Sequence, residues 1–283
     1  MIWQLYTALS VLSLSLSVLL QRVLIHKNKL DPYAYAVTFQ GLVAILLLIM
    51  ALAAGLKLPN FSELLVPATI AIVFFGLGHI VYAKTLQVVE ASAFSVFFAT
   101  QAIWIMLFGL LFLEESLSVL QVIGSVLVIG SVGLLVKRAD ALTNPRSIGL
   151  GLLTGLMFGI AIIAFSYVGR YTDPLSWAAV SFVGTTLVSL LARPRTISKI
   201  TPVLMSGQIG TLLLLAFLYG FGSYMMLLAY KDGDFALVTP LRQTSIIVTV
   251  LLALLFLKSE RHSLSRKIIS GIVSTVGVLL IIG

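Results

Sequence analysis

The sequence predicts an all-α polytopic membrane protein, with ten transmembrane helices arranged as two inverted five-helix repeats. Three observations carry the prediction. Of 283 residues, 60% are hydrophobic and only 10% charged, against about 25% charged in soluble domains. The apolar residues gather into ten runs that lack the strict alternation of barrel strands. The last five runs repeat landmarks of the first five in the same order.

The first run, 2–20, carries Ser10, Ser13 and Ser17 on one helical face, a spacing of small residues that lets membrane helices approach closely. It has neither a basic n-region nor a small-residue cleavage site, so it reads as a first span and not as a cleavable signal peptide. Runs at 33–55, 64–83, 91–113 and 119–136 complete the first set. The second set falls at 148–168, 175–191, 203–229, 235–257 and 268–283. Most approach the ~20 residues needed to cross the hydrocarbon core, and no connection is long enough to hold a soluble domain.

The repeat places residues 1–140 in one unit and 141–283 in the other. Asp31-Pro32 in "LDPYAYAVTFQG" faces Asp173-Pro174 in "TDPLSWAAVSFVG". Gly76 and Gly78 match Gly220 and Gly222, "LLFLEES" matches "LLFLKSER", and Gly124 and Gly130 match Gly271 and Gly277. Two tandem units of five spans face opposite ways across the bilayer, because five is odd. Inverted repeats of this kind build many secondary transporters, with the substrate site near the midplane where the repeats meet.

Each fourth run ends in an acidic turn, Glu115 in "LEESL" and Glu260 in "KSERHSL", and a glycine-bearing run follows each turn. With ten spans in two halves, this pattern resembles the EamA family of the drug/metabolite transporter superfamily across essentially the whole chain. The usual Gly-Glu of the turn is Glu114-Glu115 in one half and Ser259-Glu260 in the other. A tryptophan-glycine pair common in the first span of relatives is replaced by "LSVLSLSLSV". The resemblance implies a multi-pass transporter in the cell membrane and says little about substrate. Glu115 and Glu260 read as loop-ordering caps for the helices that follow.

Charge sorts the connections onto two sides. With strict alternation, fourteen Lys and Arg fall on one side and only Lys57, Arg170 and Lys231 on the other. The positive-inside rule then puts both termini outside the cytoplasm, whereas the family resemblance implies cytoplasmic termini. The charge count belongs to this chain and is the one followed here. The net charge of +8 is that of basic loops flanking spans, so nucleic acid is not an expected partner.

The eighteenth basic residue, Arg242, is different. It lies seven residues beyond Phe235, about 10 Å into its run at 1.5 Å per residue. An arginine at the centre of a membrane helix costs about 2.5–3.5 kcal/mol on insertion scales. A bland reading lets it snorkel to the headgroups. Another starts the regular helix late, with Thr239 as N-cap and Pro240 at the first helical position. The functional reading starts from the acids, all ten of which lie at or near span ends, leaving no deep carboxylate as partner. A planar guanidinium with five donors then suits a carboxylate or phosphate of a substrate. Ser245 and Thr249 extend a polar stripe on the same face, and Pro240 frees the carbonyl of Ala236 and serves as a hinge.

Further substrate-binding candidates are His79 and Tyr82 in the third run, Gln101 and Trp104 in the fourth, Gln40 in the second and Tyr224 in the eighth. For each, interhelical hydrogen bonding or core packing is the competing reading. His79 stands out as the side chain within the spans whose unperturbed pKa is near neutral.

The function expected is secondary transport of a small polar or anionic metabolite by alternating access, between the lipid bilayer's two faces and without a cofactor. No coupling ion or proton is identified by the residues. The alternatives are a non-transporting accessory or scaffold subunit, or a membrane enzyme on a lipid-linked substrate. The enzyme reading is weakened by the absence of cysteine and of any nucleophile–base pair or metal-binding cluster in the pattern.

Overall fold

The computed structural model describes residues 2–27, 30–58, 60–101, 103–104, 118–136, 144–205, 207–233, 238, 241–242, 244–256 and 264–282. The elements are α1 (Ile2–Arg22), α2 (Pro32–Ala53), α3 (Phe61–Val88), α4 (Ala91–Ala99), α5 (Val119–Val136), α6 (Pro145–Arg170), α7 (Pro174–Ala192), α8 (Ile197–Leu204), α9 (Ile209–Asp232), α10 (Ser245–Phe256) and α11 (Leu264–Ile282). Among the described residues there is no strand. α1, α2, α3, α6, α7 and α9 are long and apolar enough to cross a membrane, and α5 and α10 carry shorter apolar stretches. The acidic turns of the two fourth runs, with Glu115 and Glu260, lie outside the described residues.

One predicted run is corrected. The stretch 203–229 is not one span, because α8 ends at Leu204 and α9 begins at Ile209. Gly207 between them has φ +74°, a left-handed conformation that a side chain disfavours. The signal was present as a glycine in "MSGQ", but hydropathy averaging ran across it.

The matched Asp-Pro pairs do the same local work. Asp31 accepts from the N–H of Tyr33 and Ala34 at 3.1 and 3.0 Å, and Pro32 opens α2. Asp173 accepts from the N–H of Ser176 at 2.9 Å, and Pro174 opens α7. Both are N-caps with proline at the position where no donor is needed. Partial burial works to raise the Asp31 carboxyl, but the Ala34 N–H and the Lys199 ammonium outweigh it and hold it below the usual carboxylate range. Burial likewise opposes ionisation of Asp173, and Ser176, Lys231 and Lys57 bring it down.

The helices pack in pairs that survive exchange of the halves. α3 packs on α6 as α1 does on α9, α3 on α7 as α2 does on α9, and α4 on α6 as α1 does on α10. α2 meets its own counterpart α7, α4 meets α10, and α5 meets α11. The first and last of these contacts run antiparallel. In α2 and α7, Gln40 donates to the Ser189 hydroxyl at 3.0 Å while, beyond the far end of α2, the Lys57 N–H donates to Ser176 at 2.9 Å. In α5 and α11, the backbones meet where Gly124 lies on the Gly277 carbonyl and Gly277 on the Gly124 carbonyl, with Ile281 beside the first and Val128 beside the second. A side chain at either glycine would push the helices apart. The aligned pairs were Gly124 with Gly271 and Gly130 with Gly277, so the contact joins the first glycine of one helix to the second of the other.

Polar contacts gather at two ends of the bundle. At one, Asp31 pairs with Lys199 at 3.0 Å and Lys267 pairs with Glu90. At the other, Lys57 joins the start of α7 beside Asp173. Arg22, counted with the loop cations in sequence, is buried at the end of α1 and donates to the Leu86 carbonyl.

Candidate functional site

Two homologous helices face each other across the middle of the bundle. α3 presents Phe75, His79 and Tyr82, and α9 presents Tyr219, Ser223, Met226 and Tyr230. Spacings of three and four residues put each set on one helical face. Glycines at the turn where each strip begins seat α3 closely on α6 and α9 closely on α1. A Cβ on Gly78 would meet Phe158 of α6 at 3.2 Å, and one on Gly222 would meet Leu14 of α1 at 2.9 Å.

Between the strips lies a cavity of about 80 Å³, lined by α1, α3, α4, α6, α7 and α9 and by Arg242. Its walls are aromatic: Phe75, Tyr82, Phe98, Phe158, Phe165 and Phe182, with Tyr219, Ser17 and Ser223 as polar points. Ligand pockets typically have about 300–1,000 Å³. This cavity is smaller than such a pocket.

His79 stands behind this wall, buried against Phe75, Phe158 and Tyr219 rings at 5.0–5.9 Å between centroids. Its Nδ1 lies 2.8 Å from the Phe75 carbonyl oxygen and its Nε2 lies 3.1 Å from the Tyr219 hydroxyl. A carbonyl only accepts, so Nδ1 carries the proton in that bond. In the neutral ring Nε2 is then the acceptor, and the Tyr219 hydroxyl donates to it. The tyrosine, itself a cavity wall, is held in place by the histidine.

Arg242 is half-buried and precedes α10 by less than one turn. Its Nη1 donates to the Tyr230 hydroxyl at 2.9 Å, and the guanidinium carbon is 5.7 Å from that ring's centroid. Among the described residues no carboxylate pairs with it. One phenol uses one of five N–H donors, so the guanidinium keeps donors for a ligand in the cavity.

The other predicted site residues divide. Tyr82 lines the cavity with Arg242, and Gln21 Nε2 donates to its hydroxyl at 3.4 Å. Gln101 and Trp104 sit where α4 crosses α6: their backbone and Cβ atoms would touch a Cβ on Gly159 at 3.1 and 3.2 Å. The Gln101 side chain is buried with its Oε1 unpartnered. Gln40 belongs to a structural relay, donating to Ser189, which donates to the Gly76 carbonyl at 2.7 Å. Tyr224 packs half-buried against the main core. The Ser245 carbonyl accepts from Ser15, and Thr249 is buried in α10. Pro240 and Thr239 lie outside the described residues. Two contacts were not legible in sequence, that of Tyr219 with His79 and that of Tyr230 with Arg242, because nothing local marks a bond made across 140 or 12 residues.

Comparison with known proteins adds a family to this geometry. The profile described as EamA-like transporter family matches residues 1–137 and again 145–283. No curated protein matches the chain. A solved structure titled only "Crystal structure of protein" is similar with a TM-score of 0.61 and 16% identity, covering 97% of this chain and 96% of that one. At that identity the likeness concerns the fold alone.

Proposed function

The chain belongs to the EamA-like transporter family and is an integral, multi-pass membrane protein, and from that premise we propose that it carries a small metabolite with an acidic group by alternating access of two inverted halves. The observation that carries the proposal is Arg242. A guanidinium whose described hydrogen-bond partner is a phenol faces an aromatic cavity to which both halves contribute. In a low-dielectric site such a group stabilises a bound carboxylate or phosphate through two parallel bonds. The aromatic walls then receive the apolar part of the ligand. The acid brings the charge that the site lacks.

Support for the inverted arrangement comes from the antiparallel contacts of α2 with α7 and α5 with α11, and from the twofold match of the family profile. Rocking of one half against the other opens the cavity to each side in turn. The small volume is in keeping with a state between two such openings.

The test has two parts. Purified protein alone in sealed vesicles should give substrate-dependent flux of an organic anion first identified by a thermal shift in a metabolite screen. An accessory subunit gives no flux for any ligand. Orientation follows from single cysteines placed at Lys57 and Lys199 in a chain that has none: an impermeant thiol reagent should label Lys199→Cys from the cytoplasmic side only and Lys57→Cys from the other only. Labelling of both from one side contradicts the inverted reading.

A further inference from the structure

We propose that Lys84 and Arg193, converging on the ring of Tyr33, form a binding site for the phosphate headgroup of an anionic phospholipid. Tyr33 is the second residue of α2. The Lys84 ammonium donates to its hydroxyl at 2.8 Å and lies 4.5 Å from the ring centroid. The Arg193 guanidinium carbon is 4.7 Å from the same centroid. Two like charges are thus gathered on one ring, and the ring's electron-rich face offsets only part of their repulsion.

The acid nearest in sequence does not neutralise them. Asp31 is engaged by Lys199 at 3.0 Å and by two backbone N–H groups. Among the described residues no carboxylate pairs with Lys84 or Arg193. A phosphodiester carries one negative charge and accepts both a point ammonium and a forked guanidinium.

The position favours a lipid over a free phosphate. Lys84 is half-buried one turn before the end of α3, and Arg193 caps the end of α7. Both therefore sit at the level where interfacial tyrosines lie. Leu187 and Leu191, on the turns of α7 that lead to Arg193, are exposed and offer a path for acyl chains. Basic pockets between membrane helices on the positive side bind such headgroups. A lipid here joins α2 and α3 of the first half to α7 of the second. It acts as a staple on this face, and the site is independent of the transport reading.

The experiment uses full-length protein in nanodiscs of phosphatidylcholine with increasing phosphatidylglycerol, read by thermal unfolding and by native mass spectrometry of retained lipid. Wild type should retain phosphatidylglycerol and gain stability from it. Lys84→Gln with Arg193→Gln should bind it roughly thirtyfold more weakly, taking on the order of fivefold per basic residue at an anionic surface. Arg195→Gln with Arg266→Gln, which removes two charges from the same face but neither of those on the Tyr33 ring, should bind within about threefold of wild type, because surface charges away from the headgroup are screened. If the glutamine pair fails to fold, Lys84→Arg with Arg193→Lys decides instead, and it should keep most of the binding. Equal loss in the control pair, no preference for phosphatidylglycerol, or equal stabilisation by soluble glycerol phosphate each overturns the proposal.

Discussion

α3 and α9 occupy corresponding places in the two halves, and they agree in their glycines while differing in the side chains of the strips that border the cavity. Gly76 meets α7 and Gly78 meets α6; Gly220 meets α2 and Gly222 meets α1. Each pair seats its helix against the opposite half through the same two counterparts. The strips that follow share no such identity. Phe75, His79 and Tyr82 on α3 stand where α9 carries Tyr219, Ser223 and Met226. The packing glycines repeat and the residues that follow them do not, so two similar halves enclose a cavity with unlike walls.

The comparison breaks most readily at the glycines. A Cβ at Gly76 would lie 2.7 Å from Val188 Cγ1 and 3.0 Å from the Thr185 carbonyl oxygen, whereas at Gly220 the nearest atom is Val43 Cγ1 at 3.4 Å. Gly76→Ala should destabilise by about 1–3 kcal/mol through overpacking. Gly220→Ala should be close to neutral, because alanine's helix propensity offsets a milder contact by about 0.8–1 kcal/mol. Thermal unfolding in detergent distinguishes them, and equal losses would mean that the two crossings are equally tight.

The polar strip sharpens it next. His79→Leu leaves the Tyr219 hydroxyl without its acceptor, at a cost of about 1–3 kcal/mol. Tyr219→Phe added to it should recover part of the loss, with a coupling of at least ~0.5 kcal/mol in a double-mutant cycle. Ser223→Ala, at the matching place, should cost no more than about 1 kcal/mol, since it removes a hydroxyl without stranding a buried partner of the kind Tyr219 is. Strict additivity of the first two would show that the His79–Tyr219 bond contributes nothing.

The two caps give the smallest effect and the one most alike between halves. Asp31→Ala and Asp173→Ala should each cost about 1 kcal/mol. Both carboxyls are lowered in the folded state. Their contribution is complete above the unfolded value of about 3.9 and is lost as pH falls through the lowered folded values. Melting temperatures followed from pH 6 to pH 3 should fall less steeply in the alanine variants than in wild type. Parallel curves would show that neither carboxylate is favoured by folding.

What could be read in advance follows the same division. Hydropathy placed α1, α2, α3, α6 and α7 within a few residues, because a lipid-facing helix is apolar along a length that the bilayer sets. The Asp-Pro and paired-glycine landmarks were legible because caps and close crossings demand particular residue types. Arg242 was legible as a charge in an apolar run. Its phenolic partner was not, nor was the tyrosine that holds His79, since a hydrogen bond between distant segments leaves no periodic trace. Gln40 has the same composition signal as a ligand-binding amide, yet in the fold it serves the relay from α2 through Ser189 to the Gly76 carbonyl. Only three-dimensional placement separates the two roles.

The most direct test of the central claim is the initial rate of anion flux by Arg242 variants in sealed vesicles, normalised to folded, inserted protein. Arg242→Gln should lose flux at least about a hundredfold, as expected when a charge-assisted bidentate contact worth ~3 kcal/mol or more is removed. Arg242→Lys should keep a residual rate with a raised KM, because charge remains while the fork is gone. Both should insert as well as wild type, since removing or shortening an intramembrane arginine does not add to the insertion cost. Wild-type flux and KM in Arg242→Gln would contradict the account, leaving the arginine a snorkelling side chain and the cavity without its anchor.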